Sequence, residues 1–302
     1  MPRALAISTA LLLALLAGGC SLRTYALHKV ADAVSSGGER FAADDDPELV
    51  RDSIPFALKA MESLLSGQPD HIGLLTSLAR GFTQYSAAFV WQDAVEAADP
   101  EISFHGRERA RRLYMRAREY GLRGLSAGHP RFREEFAADP VKAAAMTEPE
   151  DVPLLFWTGV SCSLAISTAV DDLEMLADLP RCESLMRRAL ALREDFDGGA
   201  IHEYFIAFEG GRSEAMGGSP ARARRHFERA MEISRGEKVS PLVTLAESVS
   251  VRTQNRKEFL ELLDRALSFD ARGQAPDHRL PNLVAQRKAR WLKGRADEMF
   301  LE

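Results

Sequence analysis

Apolar residues recur along this chain at helical spacing and hardly ever alternate. Ile201, Tyr204, Phe205 and Phe208 fall at i, i+3, i+4 and i+7, and so do Ala110, Leu113, Tyr114 and Ala117. Such positions collect on one face of a helix, whereas a half-buried strand would show sustained period-two alternation, which is absent. The punctuation agrees. Asp46-Pro47, Asp99-Pro100, Asp139-Pro140, Ser219-Pro220 and Ser240-Pro241 each set a side-chain acceptor before a proline. An acceptor there caps free backbone N–H groups, and proline at the first helical position lacks one that would go unbonded anyway. The predicted fold class is all-α.

The helical pattern also repeats. "MRRALAL" (Met186 to Leu192), "ERAMEI" (Glu228 to Ile233) and "DRALSF" (Asp264 to Phe269) share an Arg-Ala-apolar-x-apolar core. Their alanines, Ala189, Ala230 and Ala266, lie 41 and 36 residues apart. Both periods lie a little above the ~34 residues of a tetratricopeptide unit, the longer one accommodating an enlarged loop. "ALKAMESLL" (Ala57 to Leu65) and "REYGLRGL" (Arg118 to Leu125) read as degenerate copies. Alanine lets the two helices of a hairpin approach closely while flanking apolar residues pack on the next pair. The expected architecture for residues 47–302 is a tetratricopeptide-like superhelix of helical hairpins, with a concave face for binding.

The N-terminus departs from this pattern. "MPRALAISTALLLALLAGGCS" has one arginine and an apolar run from Ala4 to Ala17 that is too short for a membrane span. It reads as a signal peptide over residues 1–19. Leu16-Ala17-Gly18-Gly19-Cys20 resembles the lipobox of bacterial lipoproteins, with Ala17 where leucine is usual. The resemblance implies cleavage before Cys20 and its lipidation, a firm membrane anchor. Residues 20–46 are polar and small, and read as a tether. Ser21 stands where lipoproteins kept in the inner membrane carry aspartate, which points to the outer membrane.

Charge removes some classes of function. The formal net charge is -5, and loss of residues 1–19 takes away only Arg3. A mildly acidic exported chain has no basic footprint for nucleic acid. Cys162 and Cys182 would then sit in an oxidising compartment, where pairing is possible. A hairpin turning near residue 175 would offset them by several residues, so two free, buried thiols are expected.

Candidate chemistry centres on "EGGRSEAMGG", Glu209 to Gly218. A phosphate-binding P-loop needs G-x-x-x-x-G-K-[ST] after a strand. Here the spacing fails, Gly218 occupies the lysine position, and a helix precedes the loop. The alternatives left open are a bent connector formed by Gly210, Gly211, Glu214, Gly217 and Gly218, with Ser219 capping the next helix, or a backbone held against a ligand or partner. "HEYFI" begins like the zinc-protease helix, but Ile206 stands at the second ligand position. No Gly-x-Ser-x-Gly elbow occurs. No enzyme, metal or cofactor is expected. His202 and Glu203 form either a polar pair in a cleft or an ordinary helix surface. The seven arginines between Arg107 and Arg123 form either an anion site or a solvated face. Tyr85, Phe89, Trp91, Phe156, Trp157, Tyr204, Phe205 and Phe208 exceed what alanine-packed hairpins need. They either fill the core or line a passage, and Trp91 falls off the Phe82, Tyr85, Phe89 stripe. In the passage reading, Tyr85, Phe89, Trp91, Phe156, Trp157 and Phe205 supply the walls, while His202, Glu203 and Glu209 orient the solute.

The segments "PELVRDSIPFALKAMESLLSGQPDHIGLLTSLARGFTQYSAAFV", "FWTGVSCSLAIS", "DGGAIHEYFIAFEGGRSEAMGGSPARARRHFERAMEIS", "SPLVTLAESVSV" and "NLVAQRKARWL" together resemble the T-component of TRAP transporters, from about Leu22 to Leu301. The resemblance implies a non-enzymatic periplasmic lipoprotein serving an ion-gradient-driven transporter. It implies a homotrimer docking the periplasmic solute-binding receptor, with a hydrophobic passage in each subunit for a hydrophobic or organic-acid solute. Relatives are expected to carry a larger residue at Cys162, so a passage reaching that point would be wider here. The alternative is a generic tetratricopeptide scaffold lipoprotein of the cell envelope.

Overall fold

The computed structural model describes residues 29, 31–32, 41–169 and 171–301. The signal segment 1–19, Cys20 and most of the tether lie outside them. The described residues are mostly helical, with no strand. In chain order they form α1 (Pro47–Gly67), α2 (Ile72–Tyr85), a π-helical turn (Ser86–Trp91), α3 (Gln92–Glu96), α4 (Pro100–Gly128), α5 (Phe132–Ala138) and α6 (Pro140–Ala145). There follow α7 (Val152–Ser167), α8 (Leu173–Ala177), α9 (Leu179–Leu192), α10 (Ala200–Gly211), α11 (Pro220–Ile233) and α12 (Ser240–Leu245) with a second π turn (Ala246–Ser250). Helices α13 (Arg256–Ser268), α14 (Arg279–Gly294) and α15 (Ala296–Met299) close the chain.

The acceptor-proline pairs start helices as chemistry requires. Asp46 accepts from the N–H groups of Glu48 and Leu49 at 3.1 and 3.0 Å. Asp99, Asp139 and Ser219 cap α4, α6 and α11 in the same way. Ser240 is the exception. It lies inside α12, and its hydroxyl donates to Glu203 instead of capping.

Packing follows the alanines. Ala189 on α9, Ala230 on α11 and Ala266 on α13 are all buried, as is Ala117 on α4. Consecutive hairpins α2/α4, α7/α9, α10/α11 and α12/α13 pack side by side, with α1 before the first and α14 after the last. Three apolar clusters hold the stack. One joins α1, α2 and α4, one joins α4, α7, α9 and α10, and one joins α10 to α15.

The expectation of free thiols is overturned. Cys162 and Cys182 form a disulfide with Cα atoms 5.7 Å apart. Helix α7 ends at Ser167 and α9 begins at Leu179, so the crossover is centred near residue 173 and holds the short helix α8. That centre brings the two cysteines level across the hairpin. Closing a loop of this size contributes about 3 kcal/mol by restricting the unfolded chain.

Candidate functional site

The first helices of successive hairpins turn one face inward and border an open-mouthed cavity of about 610 Å³. Helix α1 supplies Ile54, Ala57, Leu58 and Met61, and α2 supplies Ser77, Arg80, Gly81 and Gln84. The π turn adds Ala87, Ala88, Phe89 and Trp91. From the other side come Leu164 of α7, Glu203 of α10, Val243 and Thr244 of α12, and Leu280, Val284 and Lys288 of α14. Phe41 and Ala42, where the tether meets the domain, complete the wall. Of the second helices only α4 reaches it, through Tyr114. A mostly apolar space of this size with a few polar groups is the ordinary form of a small-molecule site.

The structure brings three of the sequence candidates together at this wall: Phe89, Trp91 and Glu203. Tyr85, Phe156, Trp157, His202, Phe205 and Glu209 lie outside the lining and inside the helix packing. Phe156 meets Trp157 edge-on at 4.8 Å in the central core, and Phe205 meets Phe208 at 6.0 Å. Cys162 does not reach the cavity, because it is tied to Cys182 in a small cluster with Ile166. The cavity is therefore no wider on its account.

The polar residues of α10 divide between two faces. Glu203 faces the cavity and accepts from the hydroxyls of Ser240 at 2.8 Å and Thr244 at 3.3 Å. His202 faces α11, where its Nδ1 lies 2.9 Å from Nδ1 of His226 and its Nε2 lies 3.3 Å from Glu194. Burial lowers the pKa of both rings, that of His226 to about 4. His202 and Glu203 are not a pair, since adjacent helix positions point about 100° apart.

Glu209 is 1% exposed and anchors the glycine connector. The Arg222 guanidinium sits 2.7 Å from its Oε2, close enough for an ion pair though not aligned for a hydrogen bond. The Glu209 carbonyl accepts from Ser219 N–H at 2.8 Å. The Arg212 guanidinium lies 3.6 Å over the Phe208 ring and donates to the Phe208 and Met216 carbonyls. Gly217 has φ +81°, and a Cβ on Gly218 would run into the Arg212 carbonyl. A Cβ on Gly210 would lie 2.6 Å from Val249, while Gly211 faces open space. Exposed Glu214 lies in the short 3-10 turn between the glycine pairs. The connector's backbone groups are thus turned onto its own arginines and onto α10.

The arginines of α4 are largely engaged. Arg111 pairs with Glu108, Arg116 with Glu62, Arg118 with Asp178, and Arg107 lies over Trp91. Among the described residues no cluster of three or more metal-ligating side chains occurs, and no helix is long and apolar enough to cross a membrane.

No site residue was expected on the inward stripe of α2 or on α14. Ser77, Arg80, Gly81 and Gln84 stand at i, i+3, i+4 and i+7, a small and polar stripe opposite Leu74, Leu75, Leu78 and Phe82. That two-faced pattern was the available signal.

Comparison with known proteins places this geometry. The chain is 28% identical over 308 residues to an uncharacterized protein of Treponema pallidum (strain Nichols), covering 95% of each. The family model described as "TRAP transporter T-component" matches residues 43–300, a span containing every helix from α1 to α15. The chain belongs to the TRAP transporter T-component family.

Proposed function

We propose that this T-component is a periplasm-facing lipoprotein, tethered through Cys20 to the outer membrane, that docks the solute-binding receptor of its transporter and passes the solute through the cavity. The hairpins form a tetratricopeptide-like superhelix whose first helices make the inner wall, and the protein assembles as a homotrimer. The observation that carries this reading is the cavity itself. Its wall draws on α1, α2, α7, α10, α12 and α14, so its shape depends on the whole stack. A scaffold with no ligand of its own would have no use for such a space, which side chains could fill at native packing density.

Sedimentation velocity of the purified protein with the solute-binding receptor of a TRAP transporter from the same organism tests the docking. A heavier complex is expected, and separate sedimentation at tens of micromolar would reject it. The anchor has its own test. Cys20→Ala should move the protein from the membrane to the soluble fraction, and unchanged membrane association would rule out lipidation at this residue. A generic envelope scaffold would bind several envelope proteins and show no preference for that receptor.

A further inference from the structure

The charges in the cavity wall are not all answered from within the protein. Lys288 Nζ lies 2.6 Å from Glu247, and Glu203 accepts from two hydroxyls. Among the described residues Arg80, on the inward stripe of α2, has no ion pair, side-chain hydrogen bond or ring contact. The wall it belongs to is mostly apolar, with Ala57, Met61, Ala87, Val243 and Val284 among its residues. A guanidinium beside apolar surface is partly stripped of water, and a structural arginine in that position normally finds an acid. An anionic group reaching it would gain a charge-assisted, planar pair. Gln84, one turn further along the same stripe, can donate its amide to the same group. A second anionic group would meet the carboxylate of Glu203 on the α10 wall.

We propose that the cavity takes an amphiphilic monoanion, with its head on Arg80 and Gln84 and its apolar body along the α1, α12 and α14 walls. Arg80 is the residue that sets this specificity. The proposal rests on the reading of the cavity as the path of the solute, and it decides the chemistry of that solute.

Three ten-carbon probes separate head from tail: decanoate, decan-1-ol and decyltrimethylammonium, each below its aggregation concentration. The full chain carries Cys20→Ser, so that no protein-bound acyl group competes, and binding is followed by calorimetry at physiological salt. Decanoate is expected to bind at least about tenfold more tightly than decanol, as one charge-assisted pair would give. The ammonium should bind more weakly than decanol. Arg80→Gln should lower decanoate affinity far more than decanol affinity, removing the preference without lowering the thermal midpoint, and Arg80→Lys should keep part of it. Decyl sulfate and decyl sulfonate, both monoanions, extend the series, and an Arg80-dependent preference for any of these anions supports the proposal and names the head group. Equal binding of decanoate and decanol would overturn it, as would a preference that survives Arg80→Gln. No binding of any probe would overturn it too, and would strike the passage reading itself.

Discussion

At the scale of single residues, a buried histidine pair lies between α10 and α11, away from the cavity wall. His202 and His226 face each other through their Nδ1 atoms, so one must donate and the other accept, and both rings cannot be charged. His226 also stacks on Phe205 at 5.0 Å. Burial depresses its pKa from 6.5 to about 4, and the neighbouring His202 adds to the effect, whereas Glu209 opposes it. His202 is likewise depressed by burial, with Glu194 opposing and Arg229 adding. A base whose pKa is depressed on folding binds fewer protons in the native state than in the unfolded one. Stability should therefore be full above pH 6.5 and fall as pH drops towards 4. Thermal midpoints measured every half unit from pH 7 to 5, above most carboxylate titration, check this. The wild type should lose stability over the range and His226→Phe should lose less; parallel curves would contradict the assignment. The connector offers a sharper contrast. Gly218→Ala should destabilise by on the order of 1 kcal/mol or more, because the added methyl meets the Arg212 carbonyl. Gly211→Ala, which faces open space inside α10, should be neutral or stabilising. Equal denaturation midpoints for the two variants would refute the contact.

At the scale of helices, aromatic side chains separate by the backbone that carries them. Phe205 belongs to a regular helix and is fully buried. Trp91 ends the π turn after α2, is half-buried, and lies on the cavity wall under Arg107. Phe205→Ala should cost roughly 3–5 kcal/mol, the range for a ring lost from a core. Trp91→Ala should cost roughly 1 kcal/mol, as at ordinary half-exposed positions. Urea unfolding of both variants measures the difference, and a Trp91→Ala loss as large as that of Phe205→Ala would make Trp91 a core residue. The same contrast shows what the sequence could reveal. Helix starts were legible at Asp46, Asp99, Asp139 and Ser219, because capping is local chemistry. The close contacts of the hairpins were legible in Ala189, Ala230 and Ala266, because small residues recur where helices meet. Two things were not legible. A π turn widens the hydrogen-bond ring by one residue, so a stripe counted at 3.6 residues loses register at Phe89 and Trp91. The Cys162–Cys182 pairing depended on where the crossover is centred, and the helix within it, α8, is capped by Asp172 but has only 5 residues, too few for an apolar stripe to mark it.

At the scale of the whole molecule, the stack bends until its ends meet. The cores of the first and last thirds share no residue, and the central core lies between them. Across the seam α14 reaches α3 through Arg287, which lies 2.7 Å from Asp93 and 2.5 Å from Glu96. Arg51 of α1 joins the same Asp93. Arg279 and Arg272 donate to the carbonyls of Ala43 and Asp45 beside the start of α1. The seam is therefore chiefly polar, whereas the rest of the stack is closed by apolar packing. Polar seams at half-exposed positions contribute modestly and are weakened by salt. Arg287→Glu would set a third carboxylate between Asp93 and Glu96, turning attraction into repulsion. Global stability should fall by only about 1–2 kcal/mol, since the three cores are untouched. Local opening should be larger: hydrogen exchange should accelerate in α1, α3 and α14 while α7 and α9, joined by the disulfide, keep their protection. High salt should produce the same regional pattern more weakly in the wild type. If exchange rose evenly across all helices, or did not rise at α1 and α14, the ion pairs would not be what holds the ends of the stack together around the cavity.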